Sequence, residues 1–171
     1  MGKTSLAADS WQCCCGSQTV KRIAHWLKAH QDADELDFLK LWKALFYCTH
    51  GRMVLPAYPT RIYVFLASLS VAGMWMSDKV PVQQELASDL ASMVHHLDNQ
   101  PALLFFRTFV LTMQREWPGL DKWRLDKFFS LVRKAVHEMF VYTRARDWDA
   151  DVVAEYALSP APCPRTQGVN G

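Results

Sequence analysis

The chain has 171 residues, of which 50% are apolar and 21% charged, and its formal net charge is +2. That is the size and balance of one globular domain. It excludes a low-complexity tail and a strongly basic arm of the kind that coats nucleic acid. Seven Trp and nine Phe against seven Gly point to an aromatic core built from regular structure.

The first twenty residues hold no apolar stretch of signal-peptide length. Five cysteines (Cys13, Cys14, Cys15, Cys48 and Cys163) are an odd number with three adjacent, a poor disulfide framework, and are read as reduced thiols. Residues 1–19 are read as a ragged N-terminus. From there the apolar period is helical. Val20, Ile23, Ala24 and Leu27 make one face; Leu36, Leu39, Trp42, Leu45 and Phe46 make a second, opened by Asp32, Asp34 and Glu35. Thr49–Gly73 fits neither flanking pattern: it carries Gly51, Pro56 and Pro59, then the run Ile62, Tyr63, Val64, Phe65. Ile62–Ser77 is free of charge but too short to span a bilayer, and is read as a buried segment.

A third helix reads Val82, Leu86, Leu90, Val94, Leu97, with Pro81 at its start. The spacing predicts a fourth from about Ala102 to Trp117, stopped by Pro118-Gly119. The fifth reads Leu125, Phe128, Phe129, Val132, Val136, Met139, Phe140, with Asp121 as its N-cap. A shorter sixth covers about Asp149 to Leu158, and the Pro-rich tail 159–171 is expected to be disordered. No strand-type alternation of useful length is present. The fold class is therefore all-α, with stacked antiparallel helix pairs as a helical-repeat-like or irregular bundle over residues 20–158.

Chemistry-bearing groups are sparse. Gly2-Lys3-Thr4 looks like the end of a phosphate-binding loop but has no room for the preceding strand and glycine. Cys13 and Cys15 with His25 and His30 have spacings of one and nine residues, where a zinc finger wants two to four and about twelve. His95 and His96 diverge by about 100° on a helix and suit its negative end better than a shared metal. No nucleophile-and-base set stands out, so no catalysis, metal or cofactor is expected. The informative stretch is Arg107–Arg146, with nine Lys or Arg against four acids. A basic helical face with Trp117 and Trp123 at the turn suits phosphates and a stacking base. The competing interpretation makes these the solvated sides of amphipathic helices with both Trp in the core.

The blocks FLKLWKALFYC (Phe38–Cys48), MWMSDK (Met74–Lys79), QQELA (Gln83–Ala87) and REWPGLDKWRLDKFFSLVR (Arg115–Arg133) together resemble the ribosomal RNA processing protein 1 family. The resemblance covers about Val20 to Leu158. In that family the Phe-Tyr-Cys block runs almost directly into the Trp-Met-x-Asp-Lys block. Here the 25 residues Thr49–Gly73 stand between them, read as an insert of splicing or gene-model origin. The resemblance implies a non-catalytic nucleolar factor, a scaffold in pre-60S particles that supports pre-rRNA processing. Its partners would be proteins of those particles and pre-rRNA, with neither a membrane nor a small-molecule substrate. Arg115, Lys122, Trp123, Arg124, Lys127, Arg133 and Lys134 are the residues singled out for RNA or partner contact. The alternative is a helical protein-binding adaptor that never touches RNA.

Overall fold

Apolar residues at helical spacing leave the backbone no better way to bury them than as helices. The computed structural model, which describes residues 20–47, 74–150 and 153–154, contains helices and no strand among those residues. In chain order these are α1 over 20–29, α2 Glu35–Tyr47, α3 Val80–Ser92, α4 Asn99–Glu116 and α5 Leu125–Arg144. Short 3-10 turns lie at Met74–Met76, Met93–His96 and Trp117–Gly119. The expected all-α class is the observed one. Cys13–Cys15, the insert Thr49–Gly73 and the tail 159–171 lie outside the described residues, as does most of the sixth helix, of which residues 150 and 153–154 are helical.

The helix ends follow from local chemistry. Asp34 Oδ1 accepts the Asp37 N–H at 2.7 Å, satisfying an orphan donor at the start of α2. Pro81 occupies the first turn of α3, where its missing N–H costs nothing. Pro101 plays the same part inside the first turn of α4, so that helix starts three residues before the expected Ala102. Pro118 has no N–H for the α-helical ladder, and the chain leaves α4 through a single 3-10 turn. After α5, Asp147 and Trp148 take left-handed φ values of 52° and 56°, and the Trp148 N–H reaches the Thr143 carbonyl at 3.1 Å.

The principal packing joins alternate helices: α2 lies on α4 and α3 on α5. Both pairs run parallel. Bonds from the 30–34 corner and α2 to the 93–98 corner and α4 keep a sequence offset of 63 to 67 residues: Gln31 to the His96 carbonyl and the Asp98 N–H, then Trp42 to the Phe105 carbonyl. From α3 to α5 the offset stays between 43 and 50: Gln84 with Ser130 and Lys134, Ser88 with Lys134, then His95 with Glu138 and the Leu97 carbonyl with Tyr142. A constant offset means each helix repeats the direction of its partner. α1 lies toward α3: Gln31, just beyond its end, donates to the His96 carbonyl, and the charges of Lys21 and Lys28 act on Asp89 and His96 respectively. The architecture is a stack in which α1, α3 and α5 form one layer and α2 and α4 the other, the arrangement of helical-repeat proteins.

Gln31 marks the stacking of one corner on the next. Its Nε2 donates to the Leu27 and His96 carbonyls, both at 3.0 Å, and its Oε1 accepts the Asp98 N–H at 2.9 Å. The core is aromatic both within the α2–α4 layer and across to α5. Trp42 rests on Phe105 and Phe109, with 4.7 Å between ring centroids in each case, and Phe46 stacks on Phe128 at 4.4 Å. Within α2 the buried residues are Phe38, Leu41, Trp42, Ala44, Leu45 and Phe46, whereas Leu36, expected on that face, is 55% exposed. It sits in the first turn, before the helix reaches α4.

Candidate partner and RNA interface

The basic string 115–134 divides sharply once folded. The turn 121–124 is built by Asp121, whose Oδ1 accepts the Trp123 N–H at 3.0 Å and the Arg124 N–H at 3.1 Å. Asp121 therefore orders the turn before α5, while Arg124 occupies the N-cap position expected for Asp121. The other Asp121 oxygen pairs with the Arg124 guanidinium. The result is a short tip whose backbone is fixed by its own side chain.

Trp123 stands on that tip, 82% exposed, with the Lys122 ammonium 4.8 Å from its ring centroid. The neighbouring Arg124 turns inward. Its guanidinium lies 4.4 Å from the Trp75 ring centroid, and its Nε approaches the Trp75 carbonyl at 3.4 Å. Lys127 is only 5% exposed, and its ammonium donates to the Trp75 carbonyl at 2.7 Å and the Ser77 carbonyl at 2.8 Å. Burial pushes the Lys127 ammonium below its ordinary pKa, with Asp78 opposing the shift. Lys134 reaches across the seam to the Gln84 carbonyl at 2.9 Å and the Ser88 hydroxyl at 2.5 Å. Arg115 is exposed and pairs with Glu116 at 2.8 Å; Arg133 is exposed beside the Phe129 carbonyl at 3.3 Å.

Of the seven singled-out residues, then, Arg115, Lys122, Trp123 and Arg133 face solvent. Arg124, Lys127 and Lys134 spend their donors on the protein itself. Spacing could not separate these groups, because the acceptors for Arg124 and Lys127 are carbonyls some 50 residues earlier in the chain. The apolar spacing also places Phe129 and Phe140 on the buried face, yet they are 42% and 47% exposed. Trp117, read with Trp123 as one aromatic pair, instead meets the Phe129 ring edge-on at 4.8 Å.

Two histidines lie in the Met93–His96 turn. His95 Nε2 meets Glu138 Oε2 at 2.8 Å, tying the Met93–His96 turn to α5. Burial, then Lys28 and His95, hold His96 below the ordinary imidazole range. Among the described residues no three His, Cys, Asp or Glu come together as a metal site, and no helix is long and apolar enough to cross a membrane.

The sequence profile of the nucleolar protein family Nop52 matches residues 72–164, more than half of the chain. The chain belongs to the Nop52 family. The match opens at the far edge of Thr49–Gly73 and takes in α3, α4 and α5 with the 121–124 tip. Curated relatives agree with it. Ribosomal RNA processing protein 1 homolog B of Homo sapiens is 32% identical over 163 residues, which cover 90% of this chain and 18% of that protein. The Drosophila melanogaster ribosomal RNA processing protein 1 homolog is 32% identical over 149 residues, 84% of this chain and 18% of the relative. Human homolog A is 32% identical over 142 residues, 81% of this chain and 25% of the relative. The resemblance carried by the four blocks is upheld. This Nop52 chain spans between about a fifth and a quarter of the length of these relatives.

Proposed function

We propose that this chain is a non-catalytic ribosome biogenesis factor, a helical scaffold in pre-60S particles that supports pre-rRNA processing. Family membership and the names of the relatives support the process and a nucleolar setting. The observation that carries the contact is the pinned 121–124 tip. Trp123 is held out of the core on a backbone that Asp121 has already ordered, with Lys122 over its ring. A rigid exposed aromatic beside a cation loses little entropy when a base stacks on it and a phosphate approaches. Arg115 and Arg133 add exposed charge from the flanking helices. Arg124, Lys127 and Lys134 contribute indirectly, by holding the tip and α5 in place. We further infer that residues 20–158 form the assembly domain and Thr49–Gly73 an insert within it. Phe46 and Trp75, on either side of that segment, have ring centroids 5.9 Å apart, so the described residues that flank it are already close together. Shortening a connection between points that are already close changes closure entropy only modestly.

Sedimentation of the tagged chain in cell extract tests the proposal, beside a form lacking Thr49–Gly73 and a form carrying Lys122→Gln and Trp123→Ala in that shortened background. The shortened form is expected to travel with large-subunit precursors, and the double variant to fall off them, more steeply as salt rises. Retention of the double variant at every salt concentration would favour the adaptor that never touches RNA. Failure of every form to co-migrate would overturn the scaffold itself.

A further inference from the structure

The N-cap of α5 carries the wrong charge for its place. Arg124 sets a cation where the exposed N–H groups of the helix already hold positive partial charge, and it makes no side-chain cap bond. Its guanidinium is engaged elsewhere. It pairs with one oxygen of Asp121 and lies over the Trp75 ring, 4.4 Å from the centroid. The other Asp121 oxygen accepts the Trp123 and Arg124 N–H groups. Trp75, Arg124, Asp121 and the backbone of Trp123 therefore form one continuous chain of contacts. The start of that chain is rigid. Met74 is fully buried, the Ser77 carbonyl accepts Gln83 Nε2 of α3 at 2.8 Å, and the Trp75 ring lies 5.9 Å from that of Phe46 on α2. Lys127 already ties α5 to the same turn through two carbonyls. The Arg124 bridge adds little to that tie, and it is the one that leads on to the tip.

We propose that Trp75 is a positioning residue for the Trp123 contact: through Arg124 and Asp121 it fixes the indole so that one unpaired RNA base can stack on it. The proposal rests on the RNA reading of the tip given above and names what the tip takes. The Lys122 ammonium lies over the Trp123 ring, so a cation covers one face and the other is left for a single base. A base inside a duplex is already stacked on both sides and offers no free face, so the tip selects unpaired RNA. Trp75 itself never touches the RNA. Its ring keeps Arg124 from swinging into solvent, and Arg124 keeps the Asp121 carboxylate in the turn it orders. A base that meets an indole already held in place does not also have to order it. Arginine suits this bridge better than lysine, because a planar guanidinium can lie over a ring and pair with a carboxylate at once. That dual contact accounts for a cation at a helix start, where local rules disfavour one.

The test uses the full chain with two fluorescein-labelled probes, a short single-stranded RNA and the same strand in a duplex, titrated by fluorescence anisotropy below the melting temperature of every variant. Trp123→Ala should weaken single-strand binding about tenfold. Trp75→Leu should weaken it about fivefold in the parent chain, and less than about twofold when Trp123→Ala is already present. Arg124→Lys leaves the Trp75 packing intact and should weaken it about threefold, so the result does not depend on how well Trp75→Leu folds. A general loss of structure would lower affinity equally in both backgrounds. Tip order is read without RNA by fluorine NMR of 5-fluorotryptophan-labelled chain. The Trp123 signal, identified by its loss in Trp123→Phe, should relax like that of the buried Trp42 in the parent and more slowly in Trp75→Leu and Arg124→Lys. Unchanged Trp123 relaxation in both variants, or an equal loss on Trp75→Leu with and without Trp123, would overturn the positioning role. Duplex bound as tightly as single strand would overturn the unpaired base. Full affinity in Trp123→Ala would overturn the RNA reading of the tip and this inference with it. A tenfold loss there with none in Trp75→Leu or Arg124→Lys would sink the positioning role alone.

Discussion

Where α2 lies along α4 the seam is made of rings, and where α3 lies along α5 it is laced with polar side chains. Phe38, Trp42, Phe105 and Phe109 meet with centroid separations of 4.7 to 5.7 Å, and one indole N–H finds the Phe105 carbonyl. On the other seam Gln84, Ser88, Ser130, Lys134, His95 and Glu138 bond to one another along its edge, over a core of Leu86, Leu90, Phe128, Leu131 and Met139. Both seams hold parallel helices in register, by different means. Buried aromatic area supplies most of the free energy of the first, because dispersion and desolvation act on every ring atom. Exposed hydrogen bonds supply little net energy to the second but accept only one alignment, so they select the register.

Variants that attack each seam in turn can break this contrast. Phe109→Ala, in the ring seam, should cost the most, about 3–5 kcal/mol from lost transfer energy and a cavity that cannot collapse. Chemical denaturation would show a lowered midpoint or no cooperative transition. A cost below 1 kcal/mol would mean that the rings do not carry the fold.

Lys127→Ala should come next, at about 2–4 kcal/mol, because the Trp75 and Ser77 carbonyls would lose their buried donor. This site also carries a pH signature. Burial lowers the Lys127 pKa in the folded chain, so the unfolded chain holds that proton more firmly. The associated stability is present above the unfolded value of about 10.4 and is lost as pH falls through the folded value. Relative to Lys127→Met, the parent chain should therefore gain stability as pH rises through the alkaline range toward that value. Urea titrations at several alkaline pH values check it, and a flat difference would mean that the ammonium is as well solvated as in the unfolded chain.

Glu138→Gln should have the smallest effect, about 0–1 kcal/mol, since its partner His95 lies at the surface. The same denaturation assay reads it. A loss as large as that of Phe109→Ala would reverse the comparison and make the polar seam the energetic one.

Helix existence was legible because apolar period, proline position and acidic helix starts are local signals. α3 and α5 begin and end close to where their residues say. The 121–124 tip was half legible. Asp121 announced a helix-capping carboxylate, and the structure uses it to order residues 123 and 124 while Arg124 takes the N-cap position. The division of the basic string was not legible at all. Lys122 and Lys127 are alike in sequence, yet one lies over an exposed indole and the other is buried against two carbonyls brought from beyond the second helix. Phe129 and Phe140 were misplaced because a wide apolar arc on α5 includes more rings than the core beneath it can cover.

By itself the sequence determined the all-α class, the positions of the helices and, through its four blocks, the family. Each of these rests on residues close together in the chain, where spacing alone decides which face is apolar and where an N–H is missing. Only the tertiary structure decided that alternate helices run parallel, that Arg124, Lys127 and Lys134 are internal ties, and that Trp123, Phe129 and Phe140 face outward. Those facts depend on which distant carbonyl or ring comes to lie opposite a side chain. A lysine offers the same ammonium to a phosphate or to a peptide carbonyl, and packing alone determines which one it meets.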